Sequence, residues 1–206
     1  MKIEHYVVGM VGTNCYFAIN EHTKECIVID PGDEADKLKG KLDEEKLTPV
    51  AILLTHAHFE HIMGVDALAA AYGIPVYIHT DDADMLQNPQ LNSGAMIGKS
   101  VTAKADHKLQ EGDVLHLAGM EIRVIHTPGH TPGGVCYYFP QEEILFSGDT
   151  LFCESVGRTD LPGGSMSALV RSVREKLFRL PDLTIVYPGH GEPTKISTEK
   201  QYNSFV

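Results

Sequence analysis

The amino-acid sequence predicts an α+β fold built from two strand-and-helix halves that face each other. Two observations carry that prediction. β-rich runs broken by Gly, Asn and Thr fill the first third of the 206 residues, and runs broken by Gly and Pro recur in the last third. In each case the strands come first and a helical segment follows, which is the pattern of two βα halves. No literal repeat, low-complexity segment or linker divides the chain, so one domain over residues 1–206 is expected.

The elements follow in order. Lys2–Val8, Cys15–Ile19 and Cys26–Ile29 read as strands. Asp30-Pro31-Gly32 ends the third sharply, and Asp33 is expected to cap an amphipathic helix reaching about Glu45. Ala51-Ile52-Leu53-Leu54 is apolar without a break, as a buried strand is, and Ile62–Tyr72 with Gly73 as its stop reads as a helix. Val76–Ile78 is another strand, and Thr80-Asp81-Asp82 opens a short helix that ends before Pro89. Residues 88–105 are rich in Asn, Gly, Ser and Ala without a period, and are expected to form a mobile loop. Strands near 113–118, 121–126, 134–139 and 143–147 precede a helix over Ser165–Leu180 and a strand over Thr184–Tyr187.

A net charge of −11 leaves no basic footprint for nucleic acid or an anionic membrane. Cys15, Cys26, Cys136 and Cys153 lie far apart without a CxxC pair, so they read as reduced. Cys153 is expected to be a packed core thiol, and the cysteine usage fits a cytoplasmic protein. The N-terminus shows no basic segment followed by an apolar one, and no run is long enough to span a bilayer. A monomer or homodimer acting on a small molecule is the expectation.

Function concentrates in Thr55-His56-Ala57-His58-Phe59-Glu60-His61, between the apolar strand and the helix. A short loop held at both ends suits a metal site, because ligand geometry must be fixed closely. Three imidazoles and a carboxylate are groups that bind zinc or iron. Solvated surface histidines would explain one such residue, and explain three poorly. Three more strand ends offer the same residue class beside glycine: His130 in Thr127–Gly134, Asp149 in Phe146–Thr150 and His190 in Tyr187–Gly191. Each alone is ordinary turn chemistry; four together are not independent accidents.

These ordered motifs resemble the metallo-β-lactamase superfamily over essentially the whole chain. Gly148-Asp149-Thr150-Leu151-Phe152, followed by Val156-Gly157-Arg158-Thr159-Asp160, resembles its glyoxalase II-like branch, which also contains the persulfide dioxygenases. The resemblance implies a four-layer αββα sandwich with a metal site at one edge, between the sheets. It implies one metal on His56, His58 and His130, a second on Glu60, His61 and His190, and Asp149 bridging both. Asp30 matches a position that supports the loop without binding metal, and Arg158 one that meets the thiol half of a substrate. A plain ion pair of Arg158 with Asp160 is the competing reading. The implied cofactor is one or two zinc ions, with iron as the other metal of the family.

One residue departs from the pattern: the family usually has Asp where this chain has Glu60. The extra methylene predicts that the carboxylate swings aside and leaves the second metal position weak. The implied activity is hydrolysis of a small, hydroxyacylglutathione-like thioester by a metal-bound hydroxide, with Asp149, His56 and His58 as catalytic residues. The glutathione-binding helical region of full-length glyoxalase II has no counterpart in these 206 residues. The rival readings are a mononuclear-iron persulfide dioxygenase using His56, His130 and Asp149, and a non-catalytic metal-binding protein with a decayed second site.

Overall fold

The computed structural model describes residues 1–206. The first half runs β1 (Lys2–Val8), β2 (Thr13–Ile19), β3 (Glu25–Ile29), α1 (Ala35–Glu44), β4 (Thr48–Leu53), α2 (Phe59–Ile62), α3 (Val65–Tyr72), β5 (Val76–His79) and β6 (His107–Leu109). The second half runs β7 (Val114–Leu117), β8 (Met120–His126), β9 (Val135–Phe139), β10 (Ile144–Gly148), β11 (Leu151–Phe152), β12 (Ser155–Val156), α4 (Met166–Glu175), β13 (Ile185–Pro188), β14 (Thr194–Lys195) and α5 (Ile196–Tyr202).

Two six-stranded sheets result, ordered β1-β2-β3-β4-β5-β6 and β14-β13-β10-β9-β8-β7. In the first, β1, β2 and β3 pair antiparallel, while β3, β4, β5 and β6 run parallel. A strand covered on both faces is apolar at every position, because successive side chains enter different layers. β2 is buried throughout: Cys15, Phe17 and Ile19 pack with Leu38 and Leu42 of α1, whereas Tyr16 and Ala18 face the other sheet. There they meet Tyr137, Phe139 and Phe146 in the core between the sheets. The opposite face of the second sheet, with Cys136, Tyr138 and Val186, carries Leu169 and Val173 of α4 and Ile196 of α5. Helix, sheet, sheet and helix therefore form four layers, as expected. No helix is long and apolar enough to cross a membrane.

Several local expectations are corrected. Asp33 does not cap α1. Glu34 occupies the cap position at a left-handed φ of 52° without a side-chain cap bond, and Asp33 Oδ1 accepts the Glu34 N–H at 2.7 Å instead. The helix read over 62–72 starts earlier, at Phe59, and breaks at Gly64, whose N–H donates to Pro31 O at 2.8 Å. The helix read to Leu180 stops at Glu175, and Leu177–Arg179 tighten into a 3₁₀ turn. Cys153 is exposed, not a core thiol, because it lies in the turn between β11 and β12.

The stretch 88–105 is tied down, most of all at the buried Asn92. Asn92 Nδ2 donates to Met85 O at 3.2 Å and Val101 O at 2.9 Å, and its Oδ1 accepts the Gly94 N–H at 2.9 Å. Its own carbonyl accepts the Phe59 N–H at 2.9 Å, which fastens the segment to the start of α2.

Candidate metal centre

The site lies at the carboxyl ends of parallel strands, where such sheets place their ligand-binding loops. β4 ends at Leu53 and is flanked by β3 and β5, and each neighbour sends a buried carboxylate to the loop that follows β4. Asp30, just after β3, accepts the Thr55 N–H at 2.8 Å and the Thr55 hydroxyl at 2.6 Å. It sits at φ 48°, a left-handed conformation that Asp tolerates better than most residues. Asp82, just after β5, accepts the Ala57 N–H at 3.1 Å, then the Gly133 N–H at 2.6 Å and the Thr131 hydroxyl at 2.7 Å. One buried carboxylate thus joins the loop carrying His56 and His58 to the loop carrying His130.

The remaining residues arrive from the second sheet. Gly129, at φ 142°, lets the His130 loop lie against α4: a Cβ there would come within 2.3 Å of the Leu169 nitrogen. Asn14 on β2 clamps the His190 loop, donating from Nδ2 to Pro188 O and Gly191 O, both at 2.9 Å. Gly189 passes so near Asp149 that a Cβ would lie 2.1 Å from Oδ1.

These elements bring every ligand candidate together. His56, His58 and His130 form one cluster and Glu60, His61 and His190 another, with the ligand atoms of each within 4.8 Å of one another. Asp149 stands between them. Its Oδ2 is 3.5 Å from His130 Nε2 and 3.6 Å from His190 Nε2, and its Oδ1 is 3.4 Å from His61 Nε2. Asp30 Oδ2 meets His61 from behind, 3.0 Å from Nδ1, and Arg158 O meets His130 Nδ1 at 2.7 Å. Glu60, in the first turn of α2, has a carboxylate oxygen within 4.8 Å of the ligand atoms of His61 and His190.

The atoms left over test whether a metal fits. His56 Nε2, His61 Nε2, Glu60 Oε2 and Asp149 Oδ1 are buried without any hydrogen-bond partner. An unpaired buried polar atom costs about 1–3 kcal/mol, and four facing one space make a donor set for cations. Imidazole and carboxylate donors suit zinc and iron alike.

Chains with such motifs have been described. The metallo-beta-lactamase superfamily model matches residues 8–190. The chain belongs to the metallo-beta-lactamase superfamily. It is 42% identical over 208 residues to the probable metallo-hydrolase YqgX of Bacillus subtilis, spanning 100% of this chain and 98% of that protein. It is 33% identical over 209 residues to the hydroxyacylglutathione hydrolase GloC of Haemophilus influenzae, with the same two coverages, 100% and 98%. Among solved structures, BLEG-1 B3 metallo-beta-lactamase superimposes with a TM-score of 0.96 at 44% identity, over 99% of each chain. TTHA1623 in a di-iron-bound form superimposes with a TM-score of 0.88 at 38% identity, over 98% of this chain and 100% of that one.

Electrostatics in this metallo-beta-lactamase-fold cluster favour free lone pairs on one side and a trapped proton on the other. Burial, then the neighbouring His61 and His130, hold His56 far below the ordinary imidazole value. Burial and then His130 push His58 down to about 3. Burial also opposes charge on His61, but Asp149 and Asp30 overcome it and raise that imidazole to about 9. Burial opposes ionisation of Asp149, yet His61 and His130 hold its carboxyl below the usual range.

Asp82 and Asn14 are the functional residues that sequence reasoning missed. Asp82 shares with Asp30 its place just after an apolar strand, a signal absorbed by reading Thr80-Asp81-Asp82 as a helix start. Asn14 carried no signal, because its partners lie more than 170 residues away in sequence.

Two outcomes follow for metal binding. The His61 proton must leave before Nε2 takes an ion, so affinity climbs as pH rises from neutrality toward about 9. Calorimetry in buffers of different ionisation heat should register that proton leaving with the metal, and zero release at neutral pH would contradict the charged His61. Asp82→Ala or Asp82→Asn should weaken metal held by His56, His58 and His130 by about ten- to hundredfold. The Glu60, His61 and His190 position, clamped by Asp30 and Asn14, should be spared. Chelator competition on both variants checks this, and equal loss at both positions would contradict it.

Proposed function

We propose that this chain is a metal-dependent hydrolase of small thioesters, with His56, His58, Glu60, His61, His130, Asp149 and His190 as its metal ligands. The carrying observation is that two of the buried, unpartnered donors, Glu60 Oε2 and Asp149 Oδ1, belong to residues lining an open cavity of about 410 Å³. Glu60, His130, Asp149 and His190 all line it, so whatever they hold faces the substrate. Bound zinc or iron ions supply hydroxide at neutral pH, by lowering the pKa of water from about 15.7 to about 7, and polarise a carbonyl.

The chain's own groups supply the rest. Asp149, set between the two clusters, fixes their separation and accepts a hydrogen bond from the attacking water. Because its carboxyl is held ionised, it has no proton to give a leaving group. His130 and His190 direct Nε2 at Asp149, so those atoms carry no spare proton once they serve as ligands. The leaving group must therefore depart unprotonated, which a thiolate does far more readily than an amine or alkoxide. The likeness to GloC supports the same substrate class. The grouping of Glu60 with His61 and His190 favours a two-ion hydrolase over a one-iron oxygenase or a decayed site.

Asp149→Ala should lower kcat/KM for a small acyl thioester by at least about a hundredfold, while the variant unfolds cooperatively like the parent. Thioester turnover within a few-fold of the parent would remove Asp149 from the reaction.

A further inference from the structure

The walls of the cavity differ from its floor. Val11, Phe59, Met96, Ile97, Phe152 and Leu161 line it above the metal-facing groups. Of the lining residues Met96 is 70% exposed and Val11 49%, and Met10, next to Val11 in sequence, is 74% exposed. Solvent-exposed methionines flanking an apolar wall form an adaptable surface for apolar ligand groups. Arg158 is the one lysine or arginine lining the cavity. Its guanidinium is already engaged, donating from Nε and Nη2 to both oxygens of Asp160 at 2.7 and 2.8 Å. The other charged side chains on the lining, Glu60 and Asp149, are carboxylates.

We propose that the thiol half of the substrate is small, apolar and uncharged, so that the cavity favours thioesters of a neutral thiol over those of glutathione. This rests on the thioester reading above and narrows it. Glutathione brings two carboxylates and one ammonium to the mouth. Either carboxylate must share Arg158 with Asp160, at the Nη1 that the pair leaves free, or exchange with it, and in both cases it sits beside that anion. A neutral thiol needs no such exchange, and its methylenes fit against Met96 and Val11.

The test uses zinc-loaded protein and two thioether probes that share a hexyl chain and cannot be hydrolysed. S-hexyl-N-acetylcysteamine is neutral and S-hexylglutathione is anionic. Calorimetry at low salt should find the neutral probe bound about tenfold more tightly. Asp160→Asn should tighten the glutathione probe by about two- to fivefold, the scale of an exposed ion pair, and leave the neutral probe unmoved. Equal or tighter binding of the glutathione probe, no response to Asp160→Asn, or no binding of either probe overturns the inference. Cleavage is measured separately on the corresponding thioesters. A protein that discriminates the probes but cleaves no thioester would refute the hydrolase reading and leave this one standing.

Discussion

Everything in this molecule is subordinate to keeping several lone pairs buried and unpaired in one small space. Left alone, such a cluster would collapse onto its nearest donors or admit water, since unpaired polar atoms inside a protein are costly. Asp30 and Asp82 prevent the collapse. They follow β3 and β5 on either side of β4, and each engages a backbone N–H of the loop between His56 and its strand or His58. The loop is held from both flanks, which keeps its imidazoles in the cluster, where His58 Nδ1 and His130 Nε2 share a hydrogen bond at 2.8 Å. The two carboxylates differ in how they are kept. Asp30 reaches His61 as well as Thr55, while Asp82 spends all its acceptors on N–H and O–H donors, and burial raises its carboxyl above the ordinary value.

The site also depends on how the two sheets register. Tyr137 of β9 donates its hydroxyl to Leu54 O at 2.7 Å, and the Val135 N–H donates to Thr55 O at 2.8 Å. Tyr16 of β2 donates to Pro188 O at 2.7 Å, beside the Asn14 clamp. These bonds cross the core between the sheets at the edge where the ligands meet. A slip of one sheet against the other would separate His56, His58 and His61 from His130, Asp149 and His190. The aromatic packing of Tyr16, Phe139, Phe146 and Tyr187 fills that core and resists the slip.

Local chemistry was readable and long-range chemistry was not. The run Ala51–Leu54 followed by His56, His58 and His61 names a buried strand and a ligand loop from neighbouring residues alone. The same holds for the glycine-flanked His130, Asp149 and His190. The two strand-and-helix halves are legible in the order of strand runs and helical segments, whereas the four layers were implied by the resemblance to the metallo-β-lactamase superfamily. By contrast β6, β11, β12 and β14 are two or three residues long and exist through their pairing partners, which no local pattern reveals. The segment expected to be mobile is anchored by Asn92 and by bonds from Ala103 and Lys104 to Leu86 and Asp66, partners that no local pattern names. The reach of Glu60 was likewise beyond local pattern, since its place beside His61 and His190 depends on where α2 begins against the second sheet.

The central claim is that both clusters bind, with Glu60 as a full participant. The most direct measurement is metal counted per chain by elemental analysis after zinc reconstitution and removal of loosely held ions, on the parent and on Glu60→Gln. An amide keeps the length of the side chain but is a far poorer donor than a carboxylate. The account predicts two ions in the parent and one in the variant. A parent that retains one ion, or a Glu60→Gln protein that retains as many ions as the parent, would contradict it.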